Sequence, residues 1–264
     1  MKCFKTIFLA ILFITTSISS SAWWGQNGHR IVGEIADSYL SSKTRKAIVE
    51  ILGTESIAMT SNWADFIKSD SLYNYLSAWH YMNVKQGLSQ AEFITILQND
   101  TATDAYSKLN FLIGELKNKA LPLEKKQMYL RLLIHIAGDI HQPLHVGRLE
   151  DLGGNRTRVL WFGDSTNLHS VWDEKLIESQ NLSYTEYVKA INHSTKEQRK
   201  QWQEQPMREW FFESYQLAGK IYSGITQPYQ RLNFRYNFDY VEILNRQLLK
   251  GGIRLAGLLN SIFG

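Results

Sequence analysis

The 264-residue chain contains a single cysteine, Cys3, and four prolines. One thiol excludes a disulfide framework, so nothing covalent staples the fold. Linkers rich in Pro, Gly and Ser, internal repeats and low-complexity segments are all missing, which excludes a string of small modules. A large excess of one charge is missing too. Lys and Arg number 29 against 25 Asp and Glu, and Lys2 and Lys5 lie in a segment expected to be removed, leaving a formal charge near +2. No polybasic coat for nucleic acid is present, so any charged ligand must be held locally. The conspicuous apolar run, Ile7–Ile14, has only eight residues. That is too short to span a bilayer as a helix.

What is present at the start reads as an export signal. Lys2 and Lys5 form a positive region, Ile7–Ile14 the apolar core, and Ser20 and Ala22 the small residues of a cleavage site. Residues 1–22 are therefore expected to be a signal peptide and 23–264 a single domain, with no membrane anchor after cleavage, in a secreted or periplasmic protein. About 240 residues suffice for one large core, and a metal-bound centre could replace the missing disulfides. Most windows have helical periodicity. Helices are expected over 29–41, 43–52, 58–69, 89–98, 102–118, 123–141, 168–179, 183–193, 205–223 and 238–261. The segment 155–163 (NRTRVLWFG) reads as a short strand or hairpin. The expectation is an all-α, mostly helical domain with that insertion, and Gly251-Gly252 either kinks the last helix or lets it pack closely.

Chemistry concentrates in MYLRLLIHIAGDIHQ, residues 128–142. This stretch is apolar almost all round, as in a buried helix, yet it puts His135 and Asp139 four residues apart on one side. A buried carboxylate is costly unless paired or bound to a metal. His145 follows Pro143, giving His-x3-Asp-x5-His, and His169/Asp173 repeat the short element. Chance supplies roughly 0.3 His-x3-Asp pairs at this composition, and two are present. Each pair alone could be an ordinary core hydrogen bond, and Arg131 on the His135 face could make a buried ionic stripe. Imidazole and carboxylate without thiolate suit zinc, while manganese or iron would also accept them. Asp65, His80 and His29 are further candidates. His141 points about 240° around the helix from His135 and is given a packing or supporting role. His193, alone in a polar stretch, is expected at the surface.

WGQNGH, WADFIK, WHYMN, HIAGDIHQPLHVG, GGN, NLHSVWD and GGIRLAGLLN together resemble the S-one/P-one type nucleases, from Trp24 to about Asn260. The resemblance implies a helical, phospholipase C-like fold with three zinc ions in a cleft. Asp65, His80, His135 and Asp139 would hold one zinc and His145, His169 and Asp173 a second. The third would take His29, a bridging Asp139 and the amine and carbonyl of Trp24. Such a cluster activates water for in-line attack on phosphorus and stabilises the departing 3′ oxygen. The implied activity is hydrolysis of single-stranded DNA and RNA to 5′-phosphate products and removal of 3′-phosphate from nucleotides. Asp139 and Lys68 are the implied catalytic residues, Lys68 standing where relatives often carry Arg to stabilise charge at the phosphate. Tyr81 would stack on a base, Asn83 falls where some relatives have Asp contacting the base, and Asn155 would shape the pocket. A monomer is expected.

Two alternatives stay open on the residues alone. One is a zinc phospholipase C acting on phospholipid head groups, which shares a three-zinc helical site. The other is an exported protein whose zinc is purely structural. The N-terminus carries its own ambiguity. The signal rule cleaves after Ala22 and starts the chain at Trp23, whereas the Trp-Gly-x-x-Gly-His spacing selects Trp24 as the zinc-binding residue.

Overall fold

A computed structural model describes residues 25–264. The signal peptide expected over residues 1–22, together with Trp23 and Trp24, lies outside the described residues. The α-helices are, in chain order, α1 (Gln26–Ser38), α2 (Ser42–Leu52), α3 (Ile57–Thr60), α4 (Trp63–Phe66), α5 (Gln90–Gln98), α6 (Ala105–Lys117), α7 (Leu123–Asp139), α8 (Leu168–Ser170), α9 (Leu176–Glu178), α10 (Tyr184–Ile191), α11 (Lys196–Glu204), α12 (Met207–Ser223) and α13 (Phe234–Phe263). Strands β1 (Arg158–Trp161), β2 (Asp164–Asn167) and β3 (Gln230–Leu232) form one small sheet in the order β2-β1-β3. The mostly helical expectation is met. No helix among the described residues is long and apolar enough to cross a membrane.

Local chemistry explains where the helices start. Ser89 and Glu92 form a reciprocal capping box on α5, Ser183 and Glu186 another on α10, and Thr195 and Gln198 a third on α11. The last of these marks a helix that periodicity missed, because α11 buries only Trp202 and has almost no apolar stripe to read. Asp104 caps α6, so that helix begins three residues later than its periodicity suggests. The expected 58–69 helix divides into α3, α4 and a short 3-10 turn, and Ser71–His80 forms a further 3-10 helix not anticipated. The helix expected over 123–141 stops at Asp139, and α13 starts at Phe234 under an Asn233 cap rather than at 238.

Two long helices frame the core. α13 lies against α1, and Gly252 makes this possible: a Cβ there would stand 2.5 Å from the Cβ of Ile35. Gly251 likewise meets the ring of His141 and Val32. The glycine pair therefore serves close packing in one continuous helix and does not break it. In α7 every residue from Leu130 to Asp139 is buried except Arg131. Its C-terminal end delivers His135 and Asp139 to the interior.

The strand expected over 155–163 is the first half of a hairpin. β1 and β2 pair antiparallel, with Trp161 opposite Asp164, and Phe162 and Gly163 turn the chain at φ 51° and 101°. Two positive φ angles are what a tight hairpin turn demands. β3 adds parallel to β1, with Val159 opposite Gln230 and Trp161 opposite Leu232. Val159, Trp161 and Leu232 face the core, so the other face of the sheet meets solvent.

Candidate metal centre

Five separate stretches of chain converge at the end of α7. His29 comes from α1, Asp65 from α4 and His80 from the end of the Ser71–His80 turn. His135 and Asp139 come from α7, and His145 from a 3-10 turn, Pro143–Val146, that Pro143 opens. His169 belongs to α8, and Asp173 to a π-helical turn at Val171–Lys175. Such a π turn is rare and recurs at functional sites. All of these side chains are buried except Asp65, which is 14% exposed.

The donor atoms face one another at short range. His135 Nε2 lies 3.2 Å from Asp139 Oδ2 and 3.5 Å from Asp65 Oδ1, while His80 Nδ1 lies 3.0 Å from both Asp139 Oδ2 and His135 Nε2. His29 Nε2 is 3.5 Å from Asp139 Oδ1, so the two oxygens of Asp139 face different histidines. Asp173 repeats the arrangement, with its Oδ1 3.4 Å from His145 Nε2 and its Oδ2 3.0 Å from His169 Nε2. A tetrahedral zinc about 2.0–2.1 Å from each donor would space them about 3.3 Å apart. Among the described residues, three groups meet the requirement of mutually close ligand atoms: His29, Asp65 and His135; His80, His135 and Asp139; and His145, His169 and Asp173.

Backbone carbonyls set which nitrogen of each ring faces inward. His135 Nδ1 donates to Ser61 O at 2.6 Å, His145 Nδ1 to His80 O at 3.0 Å, and His169 Nδ1 to Gly153 O at 2.6 Å. With the proton held there, each Nε2 turns a lone pair toward the carboxylates, as metal-ligating histidines do. The loop that supplies Gly153 O runs through φ 55°, 64° and 86° at Leu152, Gly153 and Gly154. A Cβ at Gly153 would collide with Leu144 O, so only glycine lets this carbonyl reach His169. Gln142 fixes Asp173 from the other side, its Nε2 donating to Asp173 Oδ1 at 2.6 Å while its Oε1 accepts from Leu144 N. Gly25, the first described residue, donates to Asp173 O at 2.6 Å and so lies against the same turn.

The centre calls for positive charge. Burial disfavours every ionised group in it, yet Asp139 is held well below the usual carboxylate range by His135, His145 and His80 around it. Burial would also lower His145, but Asp139 and Asp173 outweigh it and raise the imidazole to about 10. His29, with less carboxylate contact, is pushed down by burial and by His135 to about 3. Asp139 Oδ1 and Asp173 Oδ2 are buried with no hydrogen bond. Once a divalent cation displaces the protons that the carboxylates hold on these imidazoles, neutral ring nitrogens, ionised carboxylates and oxygens with free lone pairs form a donor set that fits it.

The remaining residues singled out from the sequence divide clearly. Lys68 is buried with its ammonium 2.7 Å from Asp65 Oδ1; burial lowers its pKa to about 8 against the opposing pull of Asp65. Tyr81, beside His80, is 41% exposed and offers a ring to solvent, while Asn83 Oδ1 is buried without a hydrogen bond. Asn155 is exposed and donates to Leu152 O at 2.8 Å, which is a turn contact. Arg131 pairs with Glu55 at 2.7 Å and makes no ionic stripe with His135. His141 turns away, its Nδ1 donating to Ala137 O and its Nε2 3.0 Å from Arg254. His193 is exposed. Sequence reasoning missed Gln142, since one glutamine among many carries no spacing signal until Asp173 is beside it.

Comparison with known proteins places the chain in a family. The family model described as S1/P1 nuclease matches residues 24–264. Endonuclease 2 of Arabidopsis thaliana is 30% identical over 98% of this chain and 99% of its own length, and Endonuclease 3 of the same plant is 29% identical over 97% and 94%. Nuclease P1 of Penicillium citrinum is 25% identical over 91% of this chain and 98% of its own. With its His/Asp groups able to hold metal ions and the match running over all but the first 23 residues, the chain belongs to the metal-dependent S1/P1 nuclease family.

Proposed function

We propose that this protein is an exported, zinc-dependent endonuclease and 3′-nucleotidase that hydrolyses single-stranded DNA and RNA to 5′-phosphate products. The observation that carries the reading is the convergence of His135, His145 and His169 Nε2, each with Nδ1 tied to a backbone carbonyl, on Asp139 and Asp173. Asp65, His80, His135 and Asp139 would hold one zinc, and His145, His169 and Asp173 a second. His29 and Asp139 would share a third with Trp24, whose amine becomes available only after export. Bound there, the ions supply Lewis acidity for water activation and for charge developing at phosphorus.

The chain's own groups do the rest. Asp139, facing His29 with one oxygen and His80 and His135 with the other, holds the two halves of the site in register. Gln142 keeps Asp173 turned toward His145 and His169. Lys68 brings a cation to the edge of the centre through Asp65, and supplies charge to a phosphate there without the bidentate fork that arginine would give. Tyr81 presents a face on which an unpaired base stacks, worth about 1–3 kcal/mol per base and available only where bases are not already paired. Asn83 stands near this edge, whereas the exposed turn contact of Asn155 supports a structural part more than a substrate contact.

Parallel assays of the secreted protein on single-stranded DNA, RNA, 3′-AMP and phosphatidylcholine test the reading. Release of 5′-phosphate oligonucleotides and of adenosine is expected, with both lost on chelation. Lipid cleavage without nucleotide release would replace it with the phospholipase alternative, and bound zinc without turnover with a structural one.

A further inference from the structure

The loop that orients His169 has a second side. There, Arg148, Arg156 and Arg158 line a pocket of about 370 Å³ together with Thr157, Tyr222 and Tyr229. None of these guanidinium groups is within 4.0 Å of a carboxylate among the described residues. Asp151, on the same loop, accepts from Tyr222 Oη at 2.8 Å, Thr157 Oγ1 at 2.6 Å and Gly154 N at 2.9 Å, and neither it nor Glu150 lines the pocket. Arg148 Cζ lies over the Tyr222 ring, 3.9 Å from its centroid, and the Arg156 guanidinium donates to the carbonyl of Glu150 at 3.3 Å. The β1/β3 register puts Arg231, opposite Leu160, on the same solvent-facing side of the sheet as Arg158. The whole chain has a formal charge of only +4, so three arginines without an acid around one concavity are a local excess that invites an anion.

We propose that this pocket is an exosite that seats a backbone phosphate of the single-stranded substrate away from the bond being cut. The inference rests on the nuclease reading above. Guanidinium forks match phosphate oxygens in pairs. Tyr229, 55% exposed at the rim, offers a face for the adjoining base. The pocket is also tied to the metal centre by the chain itself. Arg148 follows His145 by three residues, and Gly153 O of the same loop holds His169 Nδ1 at 2.6 Å. A strand lying on the arginines thus rests against the outer side of the loop whose inner side positions a metal-centre histidine. A mononucleotide occupying the metal centre has no second phosphate to place there, so the exosite selects for polymers.

The test pairs Arg156→Ala/Arg158→Ala with Arg156→Lys/Arg158→Lys, both residues being exposed. Binding of a fluorescent, phosphorothioate-linked single-stranded 20-mer is read by anisotropy between 50 and 200 mM NaCl, and KM is measured for single-stranded DNA and for 3′-AMP. The alanine pair is expected to weaken strand binding about tenfold at low salt and to flatten the slope of log K against log salt by about 0.7 per lost phosphate contact. The ratio of the KM for DNA to the KM for 3′-AMP should rise in parallel, and the lysine pair, which keeps the charge without the fork, should recover the salt slope and only part of the affinity. Unchanged affinity and slope, or an equal rise in KM on both substrates, overturns the exosite. So does saturation of the pocket by inorganic phosphate with strand binding intact in the alanine pair, which would make it a small-anion site. Because binding is read without cleavage, a wild-type protein that binds the strand in this way but cuts nothing refutes the nuclease reading alone.

Discussion

Asp139 is the residue on which the most contacts depend, since its two oxygens face His29 on one side and His80 and His135 on the other. Asp139→Ala is therefore expected to release metal and to lower turnover on single-stranded DNA by more than about 100-fold, whereas His193→Ala, on an exposed residue, leaves it unchanged. Equal activities of the two variants would refute the assignment. Gln142→Leu tests support from outside the ligand set: freeing Asp173 Oδ1 from its 2.6 Å hydrogen bond should weaken metal binding about 10–100-fold, read by competition with a chromogenic chelator. Lys68→Ala should retain its metal and lose turnover, and Lys68→Arg should restore it. Much of this layer was legible in the sequence, because His-x3-Asp on an apolar helix forces two ligands onto one buried face. The carbonyls of Ser61, His80 and Gly153 were not legible, since every residue has one and only the fold selects which is used.

Among the elements, the α1/α13 contact and the cap of α6 make opposite predictions. Gly252→Ala would drive a methyl to within 2.5 Å of Ile35 on the helix that carries His29, so a loss of about 1–3 kcal/mol is expected in urea unfolding. Asp104 behaves differently. Burial, reinforced by Asp100 and opposed by the Ser107 N–H, raises its carboxyl to about 6. A pKa raised in the folded state favours folding while the group is protonated, and that contribution is lost as pH rises from about 4 through 6. Asp104→Asn keeps a capping side chain and removes the charge. The melting midpoint of the variant relative to wild type should rise by about 2–4 °C at pH 7 and not at pH 4, and a constant difference would contradict this. Helices with an apolar stripe could be read in advance. β3 could not, because its parallel pairing with β1 joins segments some seventy residues apart and three residues carry no period. The π turn at Asp173 was equally hidden, since an i,i+4 spacing predicts proximity whether the turn is regular or widened.

At the scale of the whole molecule, five chain segments end on one cluster of buried imidazoles and carboxylates, in a fold without a disulfide among its described residues. Ligands that bind only the folded state stabilise it, by about 2.7 kcal/mol for each site at a hundred times its dissociation constant. Chelation is thus expected to lower the melting midpoint as well as abolish activity, and readdition of zinc should restore both. The single domain expected over 23–264 predicts that the two losses occur together, in one transition. The most direct test of the central claim is the zinc content of the purified protein, measured by elemental analysis on chains whose N-terminus has been sequenced. Three zinc ions per chain, falling to two or fewer in Asp139→Ala, is the predicted result; one tightly held ion, unchanged by that substitution, would contradict it.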